Sequence, residues 1–323
     1  LRKTKNSIYC VGELITTEFI EEVSKFNNKE YRQFNAIVRY EDNMQIQFTM
    51  KYNKENAKGE KSVMYDFLKN VFDKYNPSSM RKVMTSREAN GKPIWNEIYS
   101  LNGIGDRVIC KAELAISERP YLSKKTNTIE IGINNIFKLN GKYGITHAKE
   151  NDENCARFNL EMIIYNIVEQ NNNDESIMYV NGLGISQIIN NYSVYPISLR
   201  VRDKGIEKIN DQFDEFNIKT ESVKAGVSAL FKGDVLIGKE KITIDTKFDG
   251  TPVLTDKNIN EFRVNVSAKN IIEFDEDNPN EGFNPDEVQK LIRERAKRNN
   301  EKKERYKLNL NYGNKDEEEK LPF

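Results

Sequence analysis

Four carboxylates in a row, Asp316, Glu317, Glu318 and Glu319, run through Lys320 into Leu321-Pro322-Phe323. These residue types suit capture by another protein rather than burial in a core. The carboxylates repel compaction, Pro322 blocks a regular helix or strand, and Leu321 and Phe323 supply the sizeable apolar groups. An apolar pocket rimmed by Arg or Lys would take the Phe323 ring and its α-carboxylate, while the acids lie along a basic ridge. A second constellation interleaves rings with cations: Tyr31-Arg32-Gln33-Phe34, Arg39-Tyr40, Lys51-Tyr52, then Arg119, Tyr121, Lys124 and Lys125. Cations follow phosphates, and rings hold unstacked bases at about 1–3 kcal/mol per stack with little regard to base identity. Rings alternating along a strand serve a core equally well, and the pattern around Phe34 does not decide which face is wet. Trp95, near Arg81, Lys82, Lys92 and Arg87, is either a further platform or a staple beneath its own loop.

Acids followed by Leu-Pro-Phe resemble the C-terminal tip of bacterial-type single-stranded DNA-binding proteins, over eight residues of the 323. The resemblance implies that Asp316 to Glu319 and Leu321 to Phe323 recruit replication, recombination and repair enzymes. Lys320 departs from the pattern by placing a positive charge where that family keeps an acid.

Other chemistry is poorly served. His147 is the single histidine, which excludes a His-rich metal site, and its linker surroundings give a dyad with Cys155 no purpose. Neither GxxxxGK nor GxGxxG occurs. Asp203, Asp211, Asp214 and Glu215 could in principle hold Mg²⁺, but on a short helix they read as its solvated face. Cys10, Cys110 and Cys155 form no CxxC pair and read as reduced thiols. The expectation is a protein that binds without catalysing, with no cofactor and no metal.

Lys plus Arg (50) balance Asp plus Glu (50), so a nucleic-acid surface must arise by segregating charge. No run of about 18 apolar residues and no signal peptide is present, which predicts a soluble, cytoplasmic protein with no membrane partner. Richness in Asn, Lys and Ile fits an AT-rich genome such as that of a phage or a low-GC bacterium.

Positioning these residues calls mostly for strands. Apolar alternation predicts strands from Ile8, over Arg32 to Tyr40 and over Met44 to Tyr52, the last two joined by a turn at Glu41-Asp42-Asn43. Val63, Phe67, Leu68, Val71, Phe72 and Tyr75 recur at helical spacing. A basic irregular insertion over 78–105 follows, then strands at Arg107 to Ile116 and Thr128 to Leu139. Three strands, a helix and two strands is the order of an OB-fold, whose second and third strands form the usual binding face.

The second half repeats the order: strands from Phe158, Ser176 and Val194, a helix over Glu207 to Phe216, and strands over Ser222 to Lys232 and Phe262 to Phe274. Asn135 to Leu139 aligns with Asn270 to Phe274 as matching ends of the two fifth strands. The predicted fold is mainly β: two tandem OB-fold-like barrels with a C-terminal helix and a disordered acidic tail. The first domain is 1–140, a linker spans 141–157, and the second domain is 158–275 with a hairpin insertion at 233–260. A charged helix spans 284–306, opened by Asn284-Pro285-Asp286-Glu287, and a flexible tail 307–323. The partners expected are single-stranded DNA, replication and recombination proteins at the tip, and further copies of the chain. RNA as the ligand, and a scaffold whose barrels bind proteins alone, stay open.

Overall fold

The computed structural model describes residues 1–24, 28–56, 59–75, 80–87, 93–99, 106–172, 175–188, 191–202, 204–215, 226–246, 251–265, 268–278 and 281–318. Strands β1 (Asn6–Val23), β2 (Glu30–Glu41) and β3 (Met44–Asn53) form an antiparallel meander. Strict alternation explains it: Met44, Ile46, Phe48 and Met50 are buried while Gln45, Gln47 and Lys51 stay exposed. The β2–β3 turn rests on Asn43, whose φ of 64° is a left-handed conformation that Asn tolerates. Helix α1 (Val63–Tyr75) then buries Tyr65, Leu68, Val71 and Tyr75 on one face.

The ring closes through β6 (Arg107–Leu122) and β7 (Ile129–Leu139). Strand β6 returns to β1 with Cys110 opposite Cys10, and β7 lies parallel to β3 through Phe48↔Phe137 and Thr49↔Lys138. Pairing therefore runs first, second, third, fifth, fourth and back to first, with α1 between the third and fourth ring strands. This is the OB arrangement, and the two-pair parallel seam leaves the barrel partly open. The insertion 78–105 is not irregular throughout. It contains the antiparallel hairpin of β4 (Met80–Arg87) and β5 (Pro93–Tyr99), which form a sheet of their own.

The second ring comprises β9 (Cys155–Asn172), β10 (Glu175–Ile188), β11 (Asn191–Arg202), β12 (Ser228–Thr246) and β13 (Pro252–Val264), with α2 (Lys204–Glu215) after β11. It follows the same order, closed by one parallel pair, Arg200↔Arg263. Residues 233–260 are not an inserted hairpin. Their described residues, 233–246 and 252–260, continue the fourth and fifth strands themselves, paired from Gly233↔Val264 out to Thr246↔Pro252. The alignment of Asn270 to Phe274 with Asn135 to Leu139 fails for the same reason. Lys269 to Ile272 form β14 (Lys269–Ile272), which pairs with β12 outside the ring, much as β8 (Ile145–His147) pairs with β6.

The two barrels share strand pairing and core. The intended linker is tied down by β8, and β9 pairs with β1 from Asn6↔Leu160 to Val11↔Cys155. Among the described residues, twelve strands thus form one sheet, with one large apolar cluster drawing Phe34 and Phe48 from one barrel and Phe158 and Phe231 from the other. Tyr40 pins the junction: its hydroxyl donates to the Val235 carbonyl at 2.7 Å and accepts from the Ile237 amide at 3.2 Å. Beside it, Gly238 meets the Asn43 carbonyl so closely that an ideal Cβ would lie 1.9 Å from that oxygen.

Helix α3 (Pro285–Glu318) begins as predicted, with Pro285 at its first position and the Asn284 side chain accepting from the amides of Asp286 and Glu287 at 2.9 and 3.3 Å. Val288 and Leu291 join a smaller cluster with Phe283, Ile163, Leu183, Ile185 and Val194. The helix continues past 306 through Glu318, so Asp316, Glu317 and Glu318 extend it instead of lying in an irregular tail. Glu319, Leu321, Pro322 and Phe323 lie outside the described residues. Among the described residues, no helix is long and apolar enough to cross a membrane.

Candidate nucleic-acid interface

Alternation along β2 and β3 sends one set of side chains inward and leaves the other on a polar outer face. On that face Gln33 stands opposite Lys51 and Asn35 opposite Thr49, while the parallel seam sets Lys138 of β7 beside Thr49. Buried Asn35 organises the floor. Its Oδ1 accepts from Gln33 Nε2 and Thr49 Oγ1, both at 3.0 Å, and its Nδ2 donates to Glu18 at 2.8 Å.

Above this floor lies a groove of about 1050 Å³. Among the described residues, Lys29, Lys51, Arg119 and Lys138 line it with a single carboxylate, Glu55, together with Gln33, Gln47, Thr49 and Tyr52. A chain that is neutral overall has here segregated positive charge onto one concave face. Lys51 holds its ammonium 3.4 Å from the centre of the Tyr31 ring, whose hydroxyl donates to Glu22 at 2.8 Å. Partial burial, opposed by Glu22 and reinforced by nearby Arg119, pulls the Lys51 pKa below the ordinary lysine value.

Of the residues singled out from sequence, Lys51, Tyr52 and Arg119 line the groove, and Tyr31 supports its wall. Phe34 and Tyr40 are corrected to core: they are 0% and 2% exposed and no base can reach their faces. Arg32 turns away to the α1 side, bonded to Glu21 at 3.0 Å, 3.6 Å from Asp66 and 4.1 Å over the Tyr65 ring. Arg39 is on the outer face but paired with Glu13 at 2.5 Å.

Tyr121, Lys124 and Lys125 are exposed on the β6–β7 arm and at its turn. There the Tyr121 hydroxyl donates to Glu130 at 2.8 Å. Trp95 lies in β5, opposite Met84; its side chain is outside the described residues. Lys138 and Gln47 were missed as site residues. The strict polar alternation of Gln45, Gln47, Thr49 and Lys51 was the available signal for Gln47, whereas only the parallel seam brings Lys138 in.

The equivalent face of the second barrel is built differently. Tyr179, Asn181, Ser198 and Arg200 look across a cleft of about 320 Å³ at Leu114, Ile116 and Ile133 of the first barrel. Its arginines are engaged: Arg200 and Arg263 bond Glu261, and Arg202 lies 3.5 Å from Glu261 and 3.8 Å from Glu240. Burial alone would raise the Glu261 pKa, but hydrogen bonds from Arg200 and Arg263 hold it below the usual carboxylate value.

Two solved structures of one protein resemble this chain. They are a deletion mutant and the wild type of the single-stranded DNA binding protein from Thermus aquaticus. The mutant superposes with a TM-score of 0.38 at 6% identity, covering 84% of this chain and 96% of the other. The wild type gives 0.36 at 6% identity, covering 84% and 94%. No sequence profile of a known family and no curated protein matches the chain. The strand pairings of this chain, not likenesses at that level, carry the fold assignment.

Proposed function

We propose that the first barrel binds single-stranded DNA without sequence preference, coating exposed strands during replication, recombination or repair. The basic groove over β2, β3 and β7 is the observation that supports this reading. Among the described residues, four cations against one carboxylate suit a phosphate backbone, Gln33, Gln47 and Thr49 suit polar base edges, and Tyr52, whose ring packs partly against the core, borders the end. Floor and seam are fixed by hydrogen bonds within the sheet, so the groove is preorganised and binding orders little besides the strand itself.

The sequence Asp316 to Phe323, at the far end of α3, is the second part of the proposal: it recruits DNA-processing proteins through its acids and the Leu-Pro-Phe anchor. Photocrosslinking with a bromouracil-substituted oligonucleotide tests the placement. Crosslinks should fall in peptides carrying Tyr31, Tyr52 and Arg119. Crosslinks confined to the second barrel or to α3 would overturn it.

A further inference from the structure

The β6–β7 arm has two faces. Arg119 lines the groove on one, and Glu118 occupies the other. Helix α3 lies against that reverse face. Its inward stripe continues from Val288, Leu291 and Ile292 to Arg295, Asn299 and Lys302, residues that share a face at helical spacing. Arg295 donates through Nε to Glu118 Oε1 at 2.6 Å and makes a second, closer contact through its other nitrogen. Lys302 Nζ donates to the Glu118 carbonyl at 3.2 Å and lies 3.8 Å from Oε2. The Glu118 side chain is only 14% exposed, so this is a largely desolvated charge held by two cations two turns apart.

We infer that Glu118 is a positioning residue of the groove, and that α3 is a strap which sets the β6–β7 arm, and with it Arg119, at the height a bound strand requires. The inference rests on the groove being the nucleic-acid site. Two neighbouring residues of one strand divide the labour: Glu118 is clamped from behind by the helix, and Arg119 meets the ligand in front. The α3 contact therefore sits directly behind the binding wall, on the same helix whose far end carries Asp316 to Glu318. Removing the clamp lets the arm rock about the barrel without removing any cation from the groove.

The test compares Glu118→Gln, Arg119→Ala and the exchanged set Glu118→Arg/Arg295→Glu/Lys302→Glu in the full chain, using poly-dT anisotropy over a salt series and hydrogen exchange of 116–122 and 129–135. Glu118→Gln should weaken binding roughly threefold to tenfold with an unchanged salt slope and should speed exchange in the arm. Arg119→Ala should weaken binding and shallow the slope by about 0.7 with the arm still protected. The exchanged set, in which both cations that held Glu118 become acids facing a guanidinium at that position, should recover much of the affinity and protection, a recovery that a general loss of stability would not give. Wild-type affinity in Glu118→Gln, or arm exchange unaltered by it, overturns the strap. If the wild-type protein fails to bind poly-dT, the groove reading falls and takes the positioning role with it, while faster arm exchange in Glu118→Gln would still register the mechanical clamp by itself.

Discussion

Lys51 sits 3.4 Å above the centre of the Tyr31 ring, so that the aromatic residue serves first as a seat for the charge and only second as a surface for a base. The ring fixes an otherwise mobile ammonium on the outer face of β3, among Lys29, Arg119 and Lys138. A phosphate entering the groove meets a cation whose position has already been set.

Lys51→Ala should therefore weaken binding to poly-dT about tenfold near ~0.1 M salt and shallow the salt slope by about 0.7. Arg32→Ala is the informative contrast. Its guanidinium is committed to Glu21 and the Tyr65 ring, so the slope should keep its wild-type value. Anisotropy titrations over a salt series measure both.

The same lysine predicts a pH dependence. Its pKa in the free protein lies below the ordinary value, chiefly because it is partly buried, and a bound phosphate favours the charged form. Binding is then at full strength at neutral pH and declines as pH rises into the lysine range, earlier than an unperturbed lysine would give. Lys51→Arg, whose side chain does not titrate there, should flatten that alkaline decline in affinity measured between pH 7 and about pH 10.

Tyr40→Phe tests the junction of the barrels. The change strands the Val235 carbonyl and the Ile237 amide while leaving the ring in place, and should cost about 1–3 kcal/mol in urea unfolding. DNA affinity measured where the variant is fully folded should be unchanged, since Tyr40 lies in the core and outside the groove lining.

Glu261 governs part of the acid limb of stability. Its folded pKa is depressed: burial opposes the ionised form, but Arg200 and Arg263 outweigh burial. A depressed carboxylate pKa contributes stability that is present above the unfolded value and lost as pH falls through the folded one. Glu261→Gln should thus be less stable than wild type at pH 7 and lose less on acidification below about pH 4.3. Urea midpoints across that range report it.

Much of the first barrel was legible because its strands obey a period of two so cleanly: Met44, Ile46, Phe48 and Met50 could only be an inner face. The wet face of β2 was harder to read, since Tyr31, Phe34 and Tyr40 place rings on both sides, and only burial separates the last two from the first. Arg32 misled for a related reason. A cation beside aromatic residues looks the same in sequence whether it faces a ligand or, as here, a glutamate on the neighbouring strand.

The second barrel was misread at its fifth strand because length, not pattern, was the clue. The stretch expected to open an inserted hairpin at 233 is, through Thr246, the far end of a fourth strand running from Ser228 to Thr246. Lys138 joins the site through a parallel pairing between residues far apart in sequence, which no local pattern encodes.

The most direct measurement is fluorescence anisotropy of labelled poly-dT against a duplex of equal charge, titrated with the full chain at two salt concentrations. A preorganised groove that follows one backbone and stacks bases predicts tight binding to the single strand, weakened by salt, with much weaker binding to the duplex. Equal affinity for the two, or none for either, would contradict a single-strand site on the first barrel.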